Sequence, residues 1–226
     1  MTIACYTAVT NEYDDLVPPP EIEGVDFIAF TDNPAPRPRW RGWEVRDLTH
    51  IAPPGLSPRM LAKYPKLLPH LVLPDYEVTV WVDASHTFRS ATVVDEMVAT
   101  LNDGGGFALH QHPWRDCIYT EAEASLELWK YADQPIDDQI ACYRRNGHPE
   151  MWGLWACGSM VRRADHPLVN KVMEAWWTEC LDWTVQDQIS LPVVLRAHSL
   201  QPTIFPHPQV HGSPWFTIRD HPRNNE

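Results

Sequence analysis

Short apolar runs suited to β-strands alternate along this chain with helical patterns, and that alternation is what a sheet built from βαβ units requires. The strand candidates are Thr2 to Val9, Val25 to Thr31, Trp43 to Arg46 and Glu77 to Val82, with a further buried strand from Trp155 to Arg162. A helix candidate opens at Ser57-Pro58, a hydroxyl cap followed by a first-turn proline, and Pro65 is expected to break or kink it midway. Another runs from about Thr92 to Leu101 and stops at Asn102-Asp103-Gly104-Gly105-Gly106. Thr120 with Glu123 forms a capping-box pattern that predicts a helix to about Ala132; Pro135 opens the next, which Asn146-Gly147 ends. Leu168 to Trp183 carries a helical pattern, and Thr184 with Asp187 marks another start. After Ala197 the chain is rich in Pro and His and predicts an ordered wrap over the core. With 226 residues and no internal repeat, at roughly 150 residues per domain the expectation is a single α/β domain with an irregular tail.

Composition narrows the partners. Acidic residues outnumber basic ones by 30 to 18, a net charge of -12, so phosphate polymers and anionic membranes are poor default partners and no nucleic acid is expected. Eleven Trp and 22 Pro predict ordered loops and aromatic-walled surfaces. Cys5, Cys117, Cys142, Cys157 and Cys180 are scattered, with no C-x-x-C pair, and read as reduced thiols. No apolar stretch has the length of a membrane span, and the first residues lack a basic segment followed by an apolar one, so the expected location is cytoplasmic.

Several places can carry chemistry. The apolar run Glu77 to Val82 ends abruptly in Asp83-Ala84-Ser85-His86. A carboxylate at a strand's carboxyl end can hold a ribose hydroxyl or a hard divalent cation bridging two phosphates, and it can equally cap the next turn. Arg59, Lys63 and Lys66 are spaced i, i+4, i+7, so on a helix they share one face and could grip a diphosphate; a solvated basic stripe is the plainer alternative. The first strand delivers Tyr6-Thr7 and a polar loop, Thr10 to Asp14, and the second delivers Thr31-Asp32, a combination suited to a nucleobase. In Gln186-Asp187-Gln188 a helix start can keep Asp187 ionised, or Asp187 serves only as a cap. The tail holds His207 and His211, and neutral imidazole is a ligand for borderline divalent metals.

Taken in order, Tyr6-Thr7 with Tyr13-Asp14, Phe30-Thr31-Asp32, Gly42-Trp43, Arg59 to Lys66, Trp81-Val82-Asp83, His112-Pro113 with Arg115 to Ala122, and Asp187-Gln188 resemble the GT-A glycosyltransferases. Within them the likeness is to the glycosyltransferase-like domains of unknown function that include plant mucilage and turgor-regulation proteins. A more distant likeness, to the glycogenin and galactinol-synthase type, rests on Asp83, Cys157-Gly158-Ser159-Met160, Asp187-Gln188 and His211-Gly212-Ser213-Pro214-Trp215. The resemblance implies a GT-A-like fold, a Rossmann-like mixed sheet flanked by helices, with a nucleotide-binding half to about residue 90, an acceptor and catalytic half to about 200, and a tail over 201–226. It implies transfer of a sugar from a nucleotide-sugar donor of the UDP type to a glycan or other hydroxyl acceptor. Asp187 and Gln188 would be catalytic; Tyr6, Thr7, Asp32, Arg59, Lys63, Lys66, Asp83 and Ser85 would hold the donor. Asp83 and His211 would bind Mn²⁺ or Mg²⁺, with His86 or His207 as substitutes for His211. Ser85 stands where that family type has its second metal-binding Asp, and a hydroxyl is a far weaker ligand. Trp114, Trp152 and Trp155 would offer platforms for sugar rings. Two alternatives stay open: a carbohydrate-binding protein without turnover, and a metal-dependent hydrolase on Asp83, His86 and His112.

Overall fold

The computed structural model describes residues 1–35, 37–103 and 105–220. Seven strands form the main sheet: β1 (Ile3–Val9), β2 (Val25–Thr31), β3 (Glu44–Asp47), β4 (Val78–Val82), β6 (Phe107–Gln111), β7 (Trp155–Arg163) and β8 (Thr203–Ile204). Two more, β5 (His86–Phe88) and β9 (Phe216–Ile218), pair antiparallel as a small second sheet. The helices are α1 (Pro58–Leu67), α2 (Pro69–Val72), α3 (Val93–Ala99), α4 (Ile118–Leu126), α5 (Ile136–Arg145), α6 (Pro167–Asp182) and α7 (Asp187–Ala197).

The sheet order is β3-β2-β1-β4-β7-β6-β8. β1, β2, β3 and β4 run parallel, with Ile3 opposite both Val25 and Val78. β7 then enters antiparallel between β4 and β6. The expected α/β class and mixed, helix-flanked sheet are therefore present. β1 and β4 sit in the interior of the sheet, and their residues are buried almost without interruption, as strands covered on both faces must be. Helix α1 packs on β1 and on α6, α6 on α7, and α7 on β7 and α4.

Local rules account for most boundaries. Ser57 caps α1 through its hydroxyl, which accepts from the Met60 amide, and Pro58 occupies the first turn. Pro65 neither breaks this helix nor ends it: α1 runs through to Leu67. Pro65 lacks the N–H that would bond the Leu61 carbonyl, yet this single loss leaves α1 unbroken, so Lys63 and Lys66 stay on one continuous helix. The capping-box expectation at Thr120 fails. Helix α4 starts two residues earlier, the Thr120 hydroxyl donates to the Cys117 carbonyl, and the chain leaves the helix after Leu126 for a 3-10 turn at Trp129–Tyr131. Nor is Thr184 a cap, because its hydroxyl donates to Gln139 while α7 begins at Asp187. Gly147 ends α5 at φ +72°, as the Asn-Gly signal predicts.

The tail is an ordered wrap carrying β8 and β9. Its Arg219 guanidinium donates to the carbonyls of Asp15 and Ala84, 2.7 and 2.6 Å away, and so ties the loops after β1 and β4 together. Gly104, within the expected helix stop, and residues 221–226 lie outside the described residues.

Candidate active site

The carboxyl ends of β1 and β4 open onto a cavity of about 460 Å³, in the place where open α/β sheets hold their ligands. Its first wall is Ala8, Val9 and the loop Thr10 to Asp14. The Thr10 hydroxyl donates to the Pro58 carbonyl at 2.7 Å, and the Asn11 amide donates to the Asp32 carboxylate at 2.9 Å. Asn11 and Glu12 both hold left-handed backbone at φ 52°, so this loop is bent by its side-chain anchors and not by glycine.

The second wall is Asp83, at the end of β4. Its amide donates to the Gly158 carbonyl at 2.7 Å, and its carboxylate accepts from the Trp81 indole at 2.7 Å. A Cβ at Gly158 would come within 2.3 Å of the Gln209 amide and displace it from the bond its oxygen accepts from the Gly158 N–H. The small-residue strand noted in the sequence thus lets β7, the β4 end and the tail meet closely.

Helix α1 forms the third wall with Pro58, Arg59, Ala62, Lys63 and Lys66. Behind it stands Asp187, only 4% exposed. Both lysines reach the same Asp187 oxygen, Oδ2, Lys63 at 2.7 Å and Lys66 at 2.9 Å, and Lys66 is also 3.4 Å from Asp83 Oδ1. The Lys66 ammonium lies over the Trp81 ring, 5.4 Å from its centroid. Burial pushes the Asp187 carboxyl up, but Lys63 and Lys66 outweigh it and hold the group far below the usual carboxylate range. Burial alone would lower the Lys66 ammonium; Asp187 and Asp83 hold it above the usual lysine range instead.

The turn Trp129–Tyr131 closes the fourth side. Arg59 donates to the Lys130 carbonyl at 2.5 Å and lies over the Tyr131 ring at 4.9 Å. Lys130 is pushed below the usual lysine range by burial and by the neighbouring charges of Arg59 and Lys63. Trp129 is 71% exposed at the rim. In all, Arg59, Lys63, Lys66 and Lys130 line the cavity against the carboxylates of Asp14 and Asp83, an excess of positive charge on a chain of net charge -12.

A buried polar cluster lies next to Asp187 in the chain. Glu121 accepts from Arg115 at 2.5 Å and from Gln186 at 3.0 Å, and Gln186 also reaches Ser125. The His112 ring is 3.7 Å from Glu121 and is held to a pKa of about 4, first by burial and then by Arg115. The segment Arg115 to Ala122, singled out in the sequence, therefore fixes the residue that precedes Asp187.

The structure brings together Arg59, Lys63, Lys66, Asp83 and Asp187, but not the rest of the expected set. Tyr6 is fully buried: its hydroxyl accepts from Arg162 at 2.9 Å and its ring packs edge-on to Trp81 and Phe30. Thr7 is 1% exposed. Both lie in the core and not against a base, because β1 is covered on both faces before it reaches the cavity. Asp32 acts from beneath the loop by holding Asn11. Gln188 is half-buried, outside the cavity lining. Ser85 is 5% exposed, with its hydroxyl 3.3 Å from the His86 ring. His211 is exposed and, like His86 and His207, outside the lining. Among the described residues no three His, Cys, Asp or Glu side chains stand close enough to hold a metal ion. The donor set thus does not fit a hard divalent cation: Asp83 is the one carboxylate at the β4 end, with its Oδ1 taken by the Trp81 indole and the Lys66 ammonium, Ser85 is buried against His86, and His211 lies outside the lining. The hydrolase set of Asp83, His86 and His112 does not assemble either. Of the expected sugar platforms, Trp155 is buried and Trp114 is exposed off the lining. Trp129 and Lys130, which no sequence signal marked, line the cavity instead.

The sequence profile of the TOD1/MUCI70, glycosyltransferase-like domain family matches residues 40–207. The chain belongs to this family. A curated relative from Arabidopsis thaliana, described as probable hexosyltransferase MUCI70, is 26% identical over 85% of this chain. This family member spans 37% of that relative's length. Mouse xyloside xylosyltransferase 1, solved in its apo form, superposes with a TM-score of 0.51 over 90% of this chain and 84% of its own, at 10% identity. That likeness confirms the GT-A-like architecture.

Proposed function

We propose that this domain transfers a sugar from a nucleotide-diphosphate sugar, of the UDP type, to a hydroxyl acceptor. The observation that carries the reading is the charge of the cavity: four cations gathered on a strongly acidic chain, at the sheet ends where nucleotides sit. In the reaction, the bond from the anomeric carbon to the β-phosphate oxygen breaks with its electron pair on that oxygen. The acceptor oxygen bonds the anomeric carbon, and the hydroxyl proton passes to solvent. Negative charge grows on the leaving diphosphate, and fixed ammonium and guanidinium groups beside it stabilise that charge without reorganising. Asp187 stays ionised throughout. A carboxylate held so far below its usual range is a weak proton acceptor, so its part is to fix Lys63 and Lys66 and to offset positive charge developing at the sugar. The polar loop Thr10 to Asp14 is the place for the base.

Ser85 in place of a second carboxylate favours a second reading, a nucleotide-sugar-binding protein without turnover. Thermal-shift measurements with UDP, GDP and ADP, followed by UDP-release assays with UDP-sugars and sugar acceptors, separate the two. UDP should raise the melting temperature most, since a ligand at a hundred times its Kd stabilises the fold by ~2.7 kcal/mol. Equal shifts from all three nucleotides would remove the base assignment. A UDP-sugar that binds but releases no UDP with any acceptor would leave the binding-only reading.

A further inference from the structure

We infer that in this domain Lys66 and Lys63 occupy the role of the divalent cation, so that a nucleoside diphosphate binds through ammonium groups and needs no metal. The inference rests on the nucleotide-sugar reading above and concerns how that site meets the diphosphate. Three features of the geometry support it. First, two ammonium groups converge on a single oxygen of Asp187. Between them Asp187 and Asp83 balance the two charges and hold the ammonium groups side by side at the cavity wall, a fixed pair of cations with N–H groups to spare. Second, the Lys66 ammonium stands 3.4 Å from Asp83 Oδ1, against the carboxylate that would otherwise offer itself to a metal. An ammonium has three N–H groups. Asp187 and Asp83 take two of them, and Lys66 lines the cavity with capacity for a third acceptor. Third, the remaining positions of a metal site are spent: Ser85 and its neighbour His86 are turned into the core. Arg59, from the same helix, and Lys130, from the turn at Trp129–Tyr131, add positive charge to the same cavity, and Lys130 is depressed first by burial and then by the charges of Arg59 and Lys63. A diphosphate seated among these groups relieves the repulsion between them.

The test is calorimetric titration of UDP and of uridine into the whole chain stripped of metals, once in EDTA and once with added Mn²⁺. The expected result is UDP binding of equal affinity in both buffers, within about twofold, and much weaker binding of uridine. Lys63→Met should weaken UDP by about tenfold or more in EDTA, the scale of one charge-assisted hydrogen bond, with little change for uridine. Lys63 is the variant of choice because it is the more exposed of the two lysines; circular dichroism and melting confirm its fold. Should Lys63→Met fail to fold, Arg59→Met reads the same charge from the exposed wall. Tightening of wild-type UDP binding by about tenfold or more on adding Mn²⁺ overturns this inference and leaves the donor reading standing. UDP binding no tighter than uridine in either buffer overturns the donor reading and this inference together.

Discussion

Lys63 donates to Asp187 across 2.7 Å of space and 124 residues of sequence, tying the middle of α1 to the first residue of α7. Asp187 is buried, and its Oδ2 also receives Lys66. The bond therefore serves two purposes: it fixes the lysines that face the cavity, and it joins α1 to α7.

Asp187→Asn leaves Lys66 buried against a neutral partner. Breaking a buried pair from one side costs about 3–5 kcal/mol, so the variant should melt markedly lower and unfold at lower urea than the parent. Adding Lys63→Met to Asp187→Asn should restore part of the loss, since one unpaired cation is removed. An Asn variant as stable as the parent would mean that the Lys63–Asp187–Lys66 cluster adds nothing net to the fold.

Acid should weaken the fold in two stages. His110 is fully buried, with its ring nitrogens bonded to the His207 carbonyl and the Ser159 hydroxyl, and it is held to a pKa of about 4, chiefly by burial. Its unfolded value is about 6.5, so between those values the unfolded chain binds more protons. Stability is then full above about pH 6.5 and falls by about 3 kcal/mol as pH drops to 4. Asp187 has the depressed carboxylate pattern: its contribution is present above its unfolded value of about 3.9 and is lost below it. Urea midpoints measured from pH 7 to 3 should show the first loss shrinking in His110→Gln and the second in Asp187→Asn. Unchanged slopes would show that neither group governs acid stability.

Tyr6→Phe tests whether Tyr6 belongs to the core or to a base pocket. The hydroxyl accepts from buried Arg162 and has no route to the cavity. Its removal should cost about 1–3 kcal/mol by leaving the guanidinium short of a partner, with UDP affinity unchanged. A loss of UDP affinity at unchanged stability would return Tyr6 to the nucleotide site.

Trp129→Ala should do the reverse. The side chain is 71% exposed on the cavity rim, so its loss should change stability by no more than about 0.5 kcal/mol. The acceptor KM should rise by about tenfold, as for a lost aromatic contact, with the UDP-sugar Kd unaltered in calorimetry. An unaltered acceptor KM would reduce Trp129 to a surface residue.

What could be read from the residues follows from the range of the forces involved. The face shared by Arg59, Lys63 and Lys66 is a matter of helix period, and the position of Asp83 is a matter of where an apolar run stops; both are local. Tyr6 misleads because alternation fails in an interior strand: with both faces covered, nothing in Ile3 to Val9 separates core from cavity. The convergence of Lys63 and Asp187 depends on how α6 packs against both α1 and α7, contacts that no short window of sequence contains. Trp129 stays hidden for another reason. The Thr120-Glu123 pattern predicts a helix across it, whereas α4 stops at Leu126 and a 3-10 turn presents the indole to the cavity.

The clasp made by Arg219 has a consequence for biosynthesis. It grips the carbonyls of Asp15 and Ala84, so the two loops that border the cavity, which also meet through Ala84 packed against the cluster of Val9, Leu16, Ala29 and Trp40, are hydrogen-bonded together by a residue 135 positions beyond Ala84. Since a domain emerges from the ribosome amino end first, the sheet can assemble while those loops are still unfastened. The loops at the cavity are then fastened after the strands of the main sheet have emerged, and Arg219→Ala should loosen them while leaving that sheet in place.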